Sequence, residues 1–135
     1  CRALDQVARG TAHLIPQDET LATYAPKLTP KDTHLDWVRD ARSLDALIRG
    51  LLPKPGAVTR FGSRRVKVLE AELEAAPVAP PGTVLAIDSS KGVLVATGQG
   101  GLRLTQVQPE NRAAMGAADF ARGYRVRPGD TFGPI

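Results

Sequence analysis

The basic residues in the middle of the chain are the strongest candidates for chemistry. Four long cationic side chains fall within eight positions, at Arg60, Arg64, Arg65 and Lys67. Cations gathered on one rigid surface suit phosphate recognition, because they bind a polyanion without requiring a particular base sequence. The alternative is an ordinary solvated surface, balanced by the nearby carboxylates Glu70, Glu72 and Glu74.

The pattern around these cations predicts a β-hairpin. Apolar and polar residues alternate over 57–61 and again over 65–73, with the turn residues Gly62-Ser63 between them. Because side chains alternate across a strand, Arg65 and Lys67 should face the same side. No aromatic residues are interleaved with the cations, which argues against stacking of single-stranded bases. Structured RNA or a duplex, recognised by its shape, is the better candidate partner.

The charge of the chain is unevenly distributed. The 135 residues include 18 Lys/Arg and 14 Asp/Glu, which gives a formal net charge of +4. Residues 1–50 contain seven residues of each sign, whereas residues 51–135 contain eleven basic and seven acidic residues. The excess in the second part favours an anionic partner, most commonly a nucleic acid. An ordinary solubility charge is the alternative.

Other reactive residues lack the partners that catalysis or metal binding needs. His13 and His34 are isolated and have no ligand at a suitable spacing. Cys1 has no histidine in a catalytic arrangement, and it cannot form an intrachain disulfide because it is the only cysteine. Gly98-Gln99-Gly100-Gly101 and Asp88-Ser89-Ser90 read as turns between strands. We therefore expect no catalytic residue and no metal site.

The composition predicts one modest domain with an appendage. Hydrophobic residues make up 42% of the chain, but aromatic residues only 4%, so we expect the single Trp37 to anchor the core. There is no long apolar run of the kind that spans a bilayer and no signal-like N-terminal segment. The single cysteine favours a reducing compartment, and we expect a cytoplasmic protein with no membrane partner.

The segments divide into three predicted units. Residues 1–10 resemble the end of a helix, 11–33 an extended linker, and 34–135 a small domain of short strands. The stretch QDETLATYAPKL lies in the linker, and we expect its Tyr24 to pack against a folded unit; a disordered tail is the alternative. Within the last unit we predict helices at 44–49, capped by Ser43 or Asp40, and at 117–123.

Several motifs, in order, resemble the C-terminal part of methionyl-tRNA formyltransferase. They cover about residues 10–133 and are Ala22-Thr23-Tyr24-Ala25-Pro26-Lys27-Leu28, Leu35-Asp36-Trp37, Pro53-Lys54-Pro55-Gly56-Ala57, Pro81-Gly82-Thr83-Val84-Leu85, Val95-Ala96-Thr97-Gly98-Gln99-Gly100, Val107-Gln108-Pro109-Glu110, Met115-Gly116-Ala117-Ala118-Asp119-Phe120 and Pro128-Gly129-Asp130. One departure is Lys54, which stands where the family often has a tryptophan between two prolines.

This resemblance implies a mainly β fold with short helices: a small open Greek-key barrel resembling an OB fold, preceded by an extended linker. It also implies that the chain starting at Cys1 is a fragment of a cytoplasmic enzyme. The enzyme's catalytic residues and its co-substrate, 10-formyltetrahydrofolate, would lie in an upstream domain. The implied partners are initiator methionyl-tRNA and that catalytic domain of the same chain, in a monomer.

On this basis we expect the fragment to position tRNA without being catalytic. The predicted phosphate contacts are Lys27, Lys31, Arg60, Arg64, Arg65, Lys67, Arg103 and Arg112. Two alternatives stay open. One is a structural domain that only packs on the catalytic half. The other is the corresponding domain of a related formyltransferase that acts on a nucleotide sugar, or of formyltetrahydrofolate dehydrogenase.

Overall fold

The computed structural model describes residues 1–13 and 15–134. Its elements, in chain order, are α1 (Arg2–Ala8), 3-10 turns at Glu19–Leu21 and Pro30–Thr33, α2 (Ala41–Gly50), β1 (Ala57–Phe61), β2 (Arg64–Glu74), β3 (Val84–Asp88), β4 (Gly92–Ala96), β5 (Gly101–Pro109), β6 (Met115–Gly116), α3 (Ala117–Tyr124) and β7 (Phe132–Gly133). This confirms the predicted class, mainly β with short helices. None of the helices in the described ranges has the length and apolar character needed to cross a membrane.

The strands form one curled antiparallel sheet. Its order is β3-β4-β5-β2-β1-β7, and β6 pairs with β5. The strands β3, β4 and β5 form a meander, and the long connection over 75–83 places β2 beside β5. This arrangement has the connectivity of a Greek key and agrees with the predicted open barrel.

A short segment near the end of the chain joins the two edges of this sheet. The N–H of Val84 donates to the carbonyl of Asp130 at 2.8 Å. The N–H of Phe132 donates to the carbonyl of Gly82, also at 2.8 Å. The same segment also pairs with β1, where Phe132 lies opposite Phe61. Residues 129–133 therefore satisfy backbone groups on both edges, which closes the barrel more fully than the main ladder alone.

The core lies inside the curled sheet, with α2 and α3 packed against it. Trp37 is buried, as predicted, with its ring centroid 6.0 Å from that of Phe132. Its Nε1 donates to the Thr59 hydroxyl at 3.0 Å, and that hydroxyl donates to the carbonyl of Gly133 at 2.9 Å. The indole N–H is thus satisfied although it is buried, as a buried donor requires.

Only one of the two residues predicted to cap the N-terminus of α2 does so. The helix begins at Ala41, and the Asp40 carboxylate accepts from the backbone N–H of Ser43 at 2.9 Å and from its hydroxyl at 2.6 Å. Asp40 is therefore the N-cap, as the earlier of the two candidates predicted. Ser43 as the cap is wrong, because its hydroxyl serves as a donor to Asp40.

The described residues of the N-terminal segment, 1–13 and 15–32, do not contribute to this core. Every described residue from 1 to 32 is exposed, and α1 has no buried residue. Tyr24 is 90% exposed. None of the described elements covers the Tyr24 ring, so Tyr24 does not pack on the sheet domain of this chain; its packing on a folded unit outside the chain stays a prediction.

Candidate nucleic-acid interface

The β1–β2 hairpin places three of its four cations on one outer face. In the antiparallel register Arg60 lies directly opposite Arg65, and Val58 lies opposite Lys67. Directly opposed side chains share a face, and the residues between them, such as Val66, point into the core. We call Arg60, Arg65 and Lys67 the basic face. The prediction that Arg65 and Lys67 face the same side is confirmed.

None of the described carboxylates forms an ion pair with the basic face. Within the described ranges, Arg60, Arg65 and Lys67 have no carboxylate oxygen within 4.0 Å. Two of the nearby glutamates contact other groups, since Glu70 accepts from the Thr105 hydroxyl and Glu74 binds an arginine on β5. Two arginines directly opposite each other repel, so this face carries an electrostatic cost that a bound anion would relieve.

Arg64, the fourth cation of the hairpin, lies on the other side. It is opposite Phe61 in the register, and its guanidinium carbon is 5.1 Å from the ring centroid of Tyr124 at the end of α3. This distance is within the range of a cation–π contact. Arg64 therefore does not belong to the basic face, although sequence reasoning grouped it there.

Arg103 is also unsuited to a surface role. Its side chain is only 7% exposed and its Nη2 donates to Glu74 Oε1 at 2.6 Å. Nε binds the second carboxylate oxygen, so the pair is bidentate. This hydrogen bonding raises the pKa of Arg103 and lowers the pKa of Glu74. The arginine is already neutralised, so we remove it from the set of phosphate contacts.

A concavity adjoins the basic face where β2 meets the end of β5. Lys67 lies opposite Gln108, and the backbone N–H of Glu110 donates to the carbonyl of Arg65 at 3.0 Å. The turn that follows β5 brings Arg112 to the edge of this concavity. The concavity is lined by Val58, Arg65, Lys67, Gln108, Pro109, Glu110, Asn111 and Arg112. Arg112 was predicted from charge alone, and the structure places it beside the basic face.

Sequence reasoning missed the amide groups on this rim. Asn111 has a φ of +59°, a left-handed conformation that asparagine tolerates better than most residues. The Gln108 side-chain amide donates to the carbonyl of Arg112 at 2.9 Å and so fixes the turn. The Pro-Glu-Asn sequence was the available signal, since proline and asparagine both favour turns.

Lys27 and Lys31 lie in the exposed N-terminal segment, outside the β1–β2 hairpin. Lys27 and Lys31 are exposed, and Lys31 lies in the 3-10 turn that precedes His34. The backbone of His34 forms a parallel bridge with Val58 of β1. Lys31 is therefore three positions before the residue that pairs with β1. Lys27 lies four positions before Lys31, in the same exposed segment.

Comparison with known proteins gives one consistent family. Residues 27–125 match the family described as formyl transferase, C-terminal domain. A methionyl-tRNA formyltransferase from Thermobifida fusca is 43% identical over 134 residues, covering 98% of this chain and 42% of that protein. One from Carboxydothermus hydrogenoformans is 38% identical, covering 96% of this chain and 42% of that protein. The chain thus spans 42% of the length of these curated relatives.

Solved structures show the same fold at lower identity. A variant of HypX from Aquifex aeolicus superposes with a TM-score of 0.69 and 20% identity, covering 96% of this chain and 23% of that one. HypX in complex with tetrahydrofolic acid gives a TM-score of 0.68 and 21% identity, covering 94% of this chain and 22% of that one. The fold and the sequence matches agree, and the chain belongs to the formyl transferase C-terminal domain family.

Proposed function

We propose that this chain is the tRNA-binding part of a methionyl-tRNA formyltransferase and that it supplies no catalytic group itself. The reaction would formylate the amine of methionyl initiator tRNA with 10-formyltetrahydrofolate, bound by a catalytic domain outside the chain. The chain would hold the tRNA backbone and so lower the cost of presenting the acceptor end, mainly through proximity.

The arrangement of the basic face supports this proposal most directly. Arg60 and Arg65 oppose each other on a rigid hairpin, and neither forms an ion pair within 4.0 Å among the described residues. Such a placement is unfavourable in the free protein and favourable against phosphate. Contacts to phosphate depend on shape and charge, so they suit a folded RNA. Lys27, Lys31 and Arg112 are further proposed contacts, and Arg64 becomes a weaker one because it lies on the opposite side.

The test is tRNA binding by a triple variant of the basic face, R60Q/R65Q/K67Q. A matched control, R42Q/K91Q/R127Q, removes the same charge from exposed cations elsewhere that also form no ion pair among the described residues. Both variants are compared with the unchanged chain by filter binding over a series of salt concentrations. The basic-face variant should bind about 10- to 100-fold more weakly, if each contact contributes about 0.5–1 kcal/mol. The slope of its log binding constant against log salt concentration should decrease in magnitude by up to about three.

The control separates a specific surface from overall charge. If both triple variants lose the same affinity and slope, net charge rather than the basic face is responsible, and the proposal fails. A formylation assay on the full-length protein then tests the role. The basic-face variant should raise KM for tRNA with little change in kcat, because it removes binding rather than chemistry. An unchanged KM would favour a purely structural domain.

A further inference from the structure

The concavity beside the basic face combines cations with apolar and amide groups, which phosphate binding alone does not require. Val58 is its apolar residue on the outer face, opposite Lys67, whereas Pro109 lies opposite the inward-pointing Val66. Gln108 and Asn111 add amide groups to the lining. A concavity with some apolar surface and a few convergent polar groups is typical of a site for a small organic group.

We infer that this concavity receives one unstacked nucleotide of the bound RNA. The inference rests on the proposed function and adds to it a recognition element for a base. The phosphate would lie on Arg65, Lys67 and Arg112, while the base would lie beside Val58 and the amides of Gln108 and Asn111. RNA-binding proteins commonly recognise bases that are splayed out of loops or bulges, through hydrogen bonds to their edges and stacking on arginine planes.

The backbone geometry keeps these groups together. Lys67 and Gln108 are directly opposed on adjacent strands, and Val58 is directly opposed to Lys67 on the other side. The turn at the end of β5 is held by the Gln108 amide on the Arg112 carbonyl and by the Arg112 N–H on the Pro109 carbonyl at 3.1 Å. The rim is therefore built on paired strands and a hydrogen-bonded turn.

The acidic residue on the rim favours a base over a second phosphate. Glu110 lines the concavity and repels an anion placed beside it. Its carboxylate only accepts hydrogen bonds, so it suits the exocyclic amine of adenine, cytosine or guanine. Uracil has no such amine. The concavity should therefore bind AMP, CMP and GMP more tightly than UMP.

Single nucleotides provide the direct test. The isotopically labelled chain is titrated separately with AMP, CMP, GMP, UMP, ribose 5-phosphate and inorganic phosphate, and NMR shifts are followed. The three amine-bearing nucleotides should move the Val58 methyl and Asn111 side-chain amide signals. They should also bind about 3- to 10-fold more tightly than ribose 5-phosphate. Equal binding of all six probes, without movement of those signals, would overturn the inference.

A single substitution tests whether the same concavity contributes to tRNA binding. Asn111→Gly removes the amide and keeps the left-handed backbone, which glycine adopts readily. It should weaken tRNA binding about 3- to 10-fold and leave the salt slope unchanged, because no charge is lost. Ser63→Gly, in the hairpin turn outside the concavity, is the matched control and should bind normally.

The two proposals fail in different ways. If Asn111→Gly binds tRNA as tightly as the unchanged chain while the basic-face variant loses affinity, the nucleotide site is overturned and the proposed function stands. If the basic-face variant also binds normally, the proposed function itself is refuted.

Discussion

Replacing Arg60 with glutamate should stabilise the free protein while weakening its binding to RNA. Arg60 and Arg65 lie directly opposite each other on the outer face of the β1–β2 hairpin. The register makes them neighbours on adjacent strands, and neither has a carboxylate within ion-pair distance in the described ranges. The substitution converts a repulsive pair into an attractive pair at the same position.

The size of the effect follows from cross-strand pairs in other sheets. Opposite charges stabilise a directly opposed pair by roughly 0.2–1 kcal/mol, and like charges destabilise it by a similar amount. Both arginines are exposed, so solvent screening keeps each value in the lower part of that range. The sum of the two terms gives an expected gain in the free energy of unfolding of about 0.4–1.2 kcal/mol at low salt, a rise in Tm of about 2–5 °C for a domain of this size.

Urea unfolding at two salt concentrations measures this gain. At about 20 mM NaCl the R60E variant should unfold at a higher urea concentration than the unchanged chain, with the same m-value. At about 1 M NaCl the Debye length shrinks to about 3 Å, and most of the difference should disappear. K54E is the control, because Lys54 is exposed in the connection between α2 and β1 and lies outside the strand register.

A double-mutant cycle isolates the pair. R60E and R65E should each stabilise the protein, and R60E/R65E should lose both gains because two glutamates then oppose each other. If R60E is no more stable than the unchanged chain at low salt, or if its gain persists at high salt, repulsion between these arginines is not significant. The electrostatic argument for an anion site on this face would then be refuted.

Three further predictions concern the fold. Thr59→Val removes the hydroxyl that accepts from Trp37 Nε1, so a buried donor loses its partner. Urea unfolding should show that the free energy of unfolding falls by about 1–3 kcal/mol, and by less for Thr59→Ser, which keeps the hydroxyl. Gly98→Ala would place a Cβ 1.8 Å from the carbonyl oxygen of Val38. Calorimetry should show that the free energy of unfolding falls by roughly 3 kcal/mol or more, and an unchanged Tm would contradict this close packing. Hydrogen bonds from Ser90 lower the pKa of Asp88 from 3.8 to about 2, so its stabilising effect is present above pH 3.8 and lost as the pH falls towards 2. The stability difference between the unchanged chain and D88N should therefore shrink over that interval, and a constant difference would count against the shift.

The hairpin and the core anchor could be predicted from the sequence because their signals are local. Alternation around Gly62-Ser63 fixes the two strands, and the alternation also fixes which side Arg65 and Lys67 face. Trp37 was expected in the core because a chain with few aromatic residues needs it for packing. Such features depend on neighbours in sequence, and a period of two or a lone large residue is enough to identify them.

The side chains that depend on distant partners could not be assigned in this way. Arg103 has the same alternating environment as an exposed cation, but Glu74, 29 positions earlier, neutralises it. Arg64 is next to Arg65 in sequence and on the other side of the sheet, beside Tyr124 of α3. The amide of Asn111 reaches the basic face only because β5 pairs with β2. Each of these placements is set by strand pairing over a long separation.

The segment at 129–133 has a consequence for how the protein is made. It is synthesised after every strand that it joins, yet it supplies the backbone partners of Gly82, Val84 and β1. While the nascent chain leaves the ribosome, both margins of the sheet have unpaired amides until this segment emerges. A chain that has not yet extended past residue 128 therefore lacks the backbone partners of both margins, and unpaired strand edges of this kind favour self-association.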